Sequence, residues 1–137
     1  MIAATDLAWL SGIIDGEGCI TAHQNSIRSL GFRVTIESVS PVMIEKVRNV
    51  LHQCKVEYRT EGPMWRERST RPSQRIRVDK KQAVQRLCNL MLPYSVVKRA
   101  ELILVKSYLD KAAMTYYSAT EEDLKILATL RELKKVA

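Results

Sequence analysis

The sequence lacks the features that mark several large classes of protein. Its 137 residues include only 5 glycines and 4 prolines, which excludes collagen-like and low-complexity chains. No apolar run reaches the roughly 18 residues that a membrane-spanning helix requires. No lysine or arginine occurs in the first ten residues, so the charged start of a secretory signal is missing. The sequence therefore predicts a chain without a membrane partner.

Cysteine is also scarce. Cys19, Cys54 and Cys88 are odd in number and far apart, and no CxxC pair occurs. This pattern indicates neither a zinc site nor a disulfide framework. We expect a reducing, intracellular location, with cytoplasm and organelle equally open.

The remaining composition is that of one globular domain, which we predict over residues 1–137. Apolar residues make up 46% of the chain, enough for a core, and there is no linker or repeat. The net charge of +7 is typical of nucleic-acid-binding proteins, although soluble basic proteins of other kinds share it.

The charge is unevenly distributed. Residues 1–27 carry three acids and no lysine or arginine, a local net charge of −3. Residues 59–77 carry six arginines against two glutamates, a local net charge of +4. An acidic site on a basic protein suits a metal-dependent nuclease, because cations attract the phosphates and carboxylates hold the metal.

Hydrophobic periodicity predicts helices and strands in alternation. We expect helices over residues 6–15, 41–53, 80–92, 98–113 and 120–136, and strands over 19–24, 32–37, 56–61 and 74–79. Thr5 or Asp6 is the expected cap of the first helix, and Ser40 of the second. Hairpins separated by helices predict an α+β fold: an αββαββα core with an antiparallel sheet and extra C-terminal helices.

One face of this sheet is expected to be polar and rich in arginine. The alternation of side chains assigns to it Thr21, His23, Arg33, Thr35, Glu37, Arg59, Arg75 and Arg77. A twisted ribbon of strands bearing arginines fits the DNA major groove. The alternative is an ordinary solvated face.

The segment LSGIIDGEG, residues 10–18, has an unusual composition for an apolar helix. Gly12 and Gly16 share one face at a spacing that lets another backbone approach closely. Asp15 and Glu17 follow at the helix end, where the helix dipole disfavours negative charge. No basic residue lies nearby in sequence, so we expect a divalent cation to compensate them.

These nine residues resemble the signature of the LAGLIDADG homing endonucleases. Ser11 replaces the alanine of the signature and Glu17 replaces its second aspartate. Pro93, followed five residues later by Lys98, resembles a recurrent proline and lysine of the family. The resemblance covers most of residues 7–109.

The resemblance implies a homodimeric, site-specific endonuclease that makes a staggered double-strand cut at a long, near-palindromic DNA site. Glu17 is the implied metal ligand, with the Gly16 carbonyl beside it, for Mg²⁺ or for Mn²⁺ or Ca²⁺ in its place. Lys98 is the implied basic catalytic residue, Asp15 is structural, and no small-molecule cofactor is expected. The implied dimer interface consists of Leu10, Ser11, Gly12, Ile14, Asp15 and Gly16.

Further DNA contacts are expected from the loops that join the strands. They are Asn25, Arg28, Arg66, Arg68 and Arg71. One departure concerns catalysis: Ser38 stands where the family often has a glutamine, and a serine can bind a water but reaches less far. A cleavage-deficient protein of the same fold, an intron RNA maturase or a DNA-binding regulator, is therefore the alternative function.

Overall fold

The structure, a computed structural model, describes residues 2–113 and 117–136 and alternates helices with β-hairpins. The elements are α1 (Ala4–Glu17), β1 (Gly18–Ser26), β2 (Ser29–Ser38), α2 (Pro41–Gln53), β3 (Arg59–Met64), β4 (Ser73–Val78), α3 (Lys81–Met91), α4 (Arg99–Ala112), α5 (Glu121–Leu124) and α6 (Ile126–Val136). The predicted α+β class and the αββαββα order of the core are confirmed.

The four strands form one antiparallel sheet in the order β1-β2-β4-β3. Ile20 lies opposite Val34, and Ile36 opposite Ile76, so these side chains share one face, where all four are buried. The helices cover this inner face. The predicted alternation of apolar and polar residues along β1, β2 and β4 is therefore confirmed.

Buried residues from the sheet and the helices form one connected core. Helix α4 contributes Tyr108, whose ring centroid lies 5.5 Å from that of Phe32 on β2. The Tyr108 hydroxyl accepts a hydrogen bond of 3.1 Å from the backbone amide of Leu30. Both residues are at most 2% exposed, so this bond joins α4 to β2 inside the core.

The ends of α1 differ from the prediction. Ala3 is the N-cap residue and supplies no side-chain bond, so the predicted cap at Thr5 or Asp6 is wrong. The helix continues through Gly16 and ends at Gly18. A Cβ at Gly18 would lie 2.7 Å from the Ile14 carbonyl oxygen, so the chain can turn this closely into β1 only with glycine.

Two further boundaries differ. Strand β3 begins at Arg59 rather than at residue 56, and it continues past Gly62 to Met64 with a shift in register. The predicted C-terminal helix is divided into α5 and α6 at Lys125, and Thr120 and Asp123 form a capping box at the start of α5. Within the described residues, no helix is long and apolar enough to cross a membrane.

We predict that Tyr108→Phe lowers the free energy of unfolding by about 1–3 kcal/mol, because it leaves the buried Leu30 amide without its acceptor. Urea denaturation followed by circular dichroism measures this change. Tyr94→Phe, at a half-buried position, is the control and should change stability far less. Equal stability of Tyr108→Phe and the wild type would contradict a role for the hydroxyl in joining α4 to β2.

Candidate nucleic-acid interface and active site

The outer face of the sheet carries the polar residues that the sequence assigned to it. Cross-strand pairs place Thr35 opposite both Cys19 and Arg77, and Arg77 opposite Arg59. The neighbouring row pairs Arg75 with Glu37 on one side and with Glu61 on the other. Thr21 and Arg33 form a further pair towards the end of the β1-β2 hairpin.

Four arginines on this face alternate with three carboxylates in a continuous chain of ion pairs, which we call the arginine ladder. Its order is Arg66, Glu37, Arg75, Glu61, Arg77, Asp79 and Arg59. The N–O distances range from 2.5 Å at both ends to 3.9 Å between Arg75 and Glu61. Each carboxylate therefore lies between two guanidinium groups.

The ladder lowers the pKa of Glu37 and of Asp79. The hydrogen bond from Arg66 is the main reason that the pKa of Glu37 falls to about 2, with Arg75 and Ser73 contributing. Burial alone would raise the pKa of Asp79, but hydrogen bonds from Arg77 and Arg59 outweigh it and lower the pKa. Both carboxylates are therefore ionised near neutral pH. Individual exposed pairs of this kind contribute roughly 0–1 kcal/mol.

The β1-β2 hairpin presents the other predicted DNA-contacting residues. The side chains of His23 and Asn25 lie over Gly31, where an added Cβ would be 2.5 Å from His23 Nε2. Arg28 is exposed at the turn. Arg33, on β2, is half-buried, and its Nε has no hydrogen-bond partner among the described residues.

Arg66, Arg68 and Arg71 lie in the segment of residues 65–72 that joins β3 to β4, and all three are exposed. Arg66 turns back to Glu37 at the end of β2, which draws this segment over the sheet. The ladder therefore extends from the segment across β2, β4 and β3.

The carboxylate of Asp15 joins the end of α1 to the segment before α4. It accepts hydrogen bonds from the Ser95 hydroxyl and from the backbone amides of Val96 and Lys98, all between 2.9 and 3.0 Å. Burial by itself would raise the pKa of Asp15, but these bonds, with another from the Val97 amide, lower it.

Lys98 completes this junction. Its Nζ donates to the backbone carbonyl of Asp15 at 2.9 Å, which places a positive charge at the C-terminal end of α1. The sequence has no basic residue close to Asp15 and Glu17. In the folded chain, Lys98 supplies part of the positive charge that compensates these acids. Glu17, two residues further on, is exposed and leads directly into β1.

A cleft of about 320 Å³ lies beside this junction. Its lining includes Lys98, Glu101, Cys19 and Lys134. Glu101 is only 3% exposed, and its Oε2 has no hydrogen-bond partner within the described residues. Burial raises the pKa of Glu101, although Lys98 and Lys134 oppose that effect.

Sequence reasoning missed Glu101 and Lys134 as neighbours of the site. Lys134 lies on α6, and its Nζ is 3.7 Å from Cys19 Sγ at the start of β1. The spacing of Lys98 and Glu101 on one helix face could have indicated Glu101. No sequence pattern predicts that α6 lies beside β1, because Cys19 and Lys134 are 115 residues apart in the chain.

The end of α1 offers oxygen donors that suit a hard divalent cation. Glu17 supplies an exposed carboxylate, and Gly16 supplies a backbone carbonyl in the last helical turn. Among the described residues, no three His, Cys, Asp or Glu side chains are grouped as a metal site. One or two carboxylates with phosphate oxygens are a usual Mg²⁺ environment, so the donor chemistry fits.

The residues of the predicted dimer interface are divided between the core and the surface of the protomer. Leu10, Ser11 and Ile14 are at most 1% exposed and pack in its own core. Gly12 and Gly16 lie on the opposite, exposed side of α1, with no atom within 4 Å of an added Cβ.

Ser38, the predicted catalytic hydroxyl, has a local structural contact. Its Oγ accepts a hydrogen bond of 3.0 Å from the backbone amide of Ser40, the residue that caps α2. The hydroxyl thus helps to form the turn between β2 and α2. The longer amide of the family's glutamine has no counterpart at this position.

We predict that Asp15→Asn lowers the free energy of unfolding at neutral pH by about 2 kcal/mol, because hydrogen bonds to a charged group are lost. The pKa of Asp15 is below its ordinary 3.8 in the folded state. The deficit should therefore be complete above that value and disappear as the pH falls through the lowered pKa.

Denaturant titrations from pH 7 to the acid limit measure this dependence. Asp110→Asn, which removes an exposed i,i+4 pair with Lys106, is the control and should cost roughly 0.5 kcal/mol or less. A deficit that persisted unchanged in acid would rule out the ionised carboxylate as the source.

Comparison with known proteins gives matches only at the level of structure. No protein-family model matches the sequence, and no curated protein matches it. The homing endonuclease I-CvuI in complex with its target matches with a TM-score of 0.71 and 18% identity, over 95% of this chain and 82% of that one.

Two further structures agree. The archaeal intron-encoded homing endonuclease I-Vdi141I, complexed with DNA, has a TM-score of 0.68 and 17% identity, over 97% of this chain and 84% of that one. The LAGLIDADG meganuclease I-AabMI, bound to uncleaved DNA, has a TM-score of 0.66 and 19% identity, over 90% of this chain and 42% of that one. The chain therefore has the LAGLIDADG homing endonuclease fold that its residues 10–18 indicated.

Proposed function

We propose that this chain is a site-specific, metal-dependent DNA endonuclease that acts as a homodimer. The observation that carries the proposal is the position of Glu17. Its exposed carboxylate ends α1 and leads into β1, the first strand of an arginine-bearing sheet face. The solved structures of the same fold include endonucleases bound to DNA, which supports double-stranded DNA as the substrate.

Each part of the site has a task in this proposal. The outer sheet face binds the groove, and its cations attract the phosphates. Glu17 and the Gly16 carbonyl would hold Mg²⁺, for which Mn²⁺ or Ca²⁺ could substitute. The cation, when bound, neutralises negative charge that develops on the attacked phosphate.

Lys98 and Asp15 position this acid. Because Lys98 bonds to the Asp15 carbonyl and Asp15 bonds to the segment before α4, the last turn of α1 is held on both sides. The Lys98 ammonium is also available to stabilise negative charge near the phosphate. The Ser38 oxygen accepts a hydrogen bond from the Ser40 amide, and its hydroxyl proton remains available to bind a water near the site.

A second copy of the chain completes the proposed site. One protomer supplies one exposed carboxylate at the end of its α1, whereas cutting both DNA strands requires two sites. The exposed side of α1 carries only small side chains at Ala8, Gly12 and Gly16, so two α1 helices could approach closely. Isologous symmetry would then match a near-palindromic target.

We predict that Glu17→Gln abolishes cleavage but preserves folding and DNA binding. The protein is incubated with a randomised duplex library and Mg²⁺, and double-strand ends are captured and sequenced. Loss of the ligand should slow cleavage by a factor on the order of 100 or more. Chelation of Mg²⁺ should have the same effect on the wild type.

Glu122→Gln, an exposed change of equal charge on α5, is the control and should cut normally. Full activity of Glu17→Gln would refute the assignment of this carboxylate. Salt-sensitive binding of DNA or intron RNA by a wild type that never cuts would favour the alternative, a binding protein or maturase. The observation that favours that alternative is the short side chain of Ser38, whose oxygen is held close to the backbone amide of Ser40.

We predict that Gly12→Leu yields folded monomers that do not cleave. Among the described residues, no atom lies within 4 Å of a Cβ added at Gly12, so circular dichroism and stability should be retained. Sedimentation should show dimers for the wild type and monomers for the variant. Ala128→Leu, at an exposed position of α6, is the control and should remain dimeric. A Gly12→Leu protein that dimerises as the wild type does would exclude close pairing of the α1 helices.

A further inference from the structure

The arginine ladder has a composition unlike that of a simple phosphate-binding surface. Its seven residues are four arginines and three acids, so most of the positive charge is already neutralised inside the protein. A surface selected only for affinity to DNA would gain nothing from carboxylates facing the phosphates, since these repel. Affinity for phosphates therefore does not explain why the acids are present.

The hydrogen bonds of the ladder show what the acids do. Arg66 and Arg75 each donate from Nε and a terminal nitrogen to Glu37, at 2.5–3.3 Å. Arg77 donates from Nε to Asp79, which also accepts from Arg59. Two donors each of Arg66 and Arg75 are thus fixed against Glu37, which determines the plane in which their other donors lie, while Arg77 and Arg59 are each held by one bond to Asp79.

The register of the strands shows why an acid is needed between the arginines. Arg59 lies directly opposite Arg77, a pairing of like charges that is unfavourable without a counterion. Asp79 bonds to both and removes that repulsion. Glu61 lies between Arg75 and Arg77 at 3.9 and 3.6 Å.

We propose that Glu37, Glu61 and Asp79 are specificity-determining residues that position the four arginines to contact bases and weaken their binding to phosphates. An arginine has five N–H donors, so one that gives two to a carboxylate keeps enough for the two acceptors of a guanine edge. The acids lower affinity for every DNA sequence alike, whereas the fixed orientation favours only matching bases. Sequence specificity is the difference between the affinity for matching sequences and the affinity for all others, so the acids increase it.

This inference rests on the proposed function in that it takes duplex DNA as the ligand. It assigns Glu37 a different task from the direct DNA contact that the sequence suggested. The three acids act through the arginines, so their removal should alter the kind of binding without removing it.

The test compares Glu37→Gln with the wild type on a short random-sequence duplex, without divalent metal, over a series of salt concentrations. We expect tighter binding of the variant at low salt. The slope of log K against log salt should become more negative by roughly 0.9 for each additional phosphate contact. Selection from a randomised duplex library should then return a less restricted set of sequences than the wild type does.

Glu45→Gln is the matched control. It makes the same change in net charge and releases Arg48, but on α2, whose helix covers the other face of the sheet. Glu61→Gln is the second test variant, because Glu61 contributes only the longer pairs and its loss puts folding at little risk. It should shift binding in the same direction as Glu37→Gln, but less.

Two outcomes would overturn the inference. One is a salt slope and a selected sequence set for Glu37→Gln that match those of Glu45→Gln. The other is equal loss of binding to random and selected DNA, which would make Glu37 a general binding residue. A wild type that binds no duplex at all would instead refute the proposed function, so the two failures are distinguishable.

Discussion

The junction between α1 and α4 is the interaction on which the candidate site depends. An acid at the C-terminal end of a helix is unfavourable, because the helix dipole is negative there. Asp15 overcomes this by accepting hydrogen bonds from residues 95–98, and Lys98 adds a cation at the Asp15 carbonyl. The end of α1 is thereby fixed, and Glu17 remains exposed with no ion pair among the described residues.

The two faces of the sheet have different roles. The inner face holds the core through Ile20, Val34, Ile36 and their neighbours, so the outer face is free to carry charge. Because Gly18 lets the chain turn closely past Ile14, the carboxylate of Glu17 comes immediately before this charged face. The candidate metal ligand and the candidate DNA-binding face are thus adjacent in the chain.

The sequence predicted the elements well where the signal was local. Helix α2, with Ser40 as its cap, was predicted to the residue, because the cap, Pro41 and the apolar spacing all agree. The sequence did not predict features that depend on tertiary contacts. An apolar helix face looks the same whether it lines a core or an interface, so the sequence could not show that Leu10 and Ile14 pack in the core of the protomer. The ion pairs of Arg66 and Asp79 depend on the register of the sheet. The position of Lys134 depends on the packing of α6. No local sequence pattern contains either kind of information.

The position of the acids explains why a count of charges was an incomplete guide to function. A net charge of +7 indicates nucleic acid, but it does not separate free cations from paired ones. Of the six arginines in residues 59–77, Arg59, Arg66, Arg75 and Arg77 are held by carboxylates, whereas Arg68 and Arg71 have no ion pair among the described residues. Long-range attraction therefore depends mainly on unpaired cations, while the paired arginines, with their fixed geometry, are better suited to discriminating between bases once the duplex is in contact.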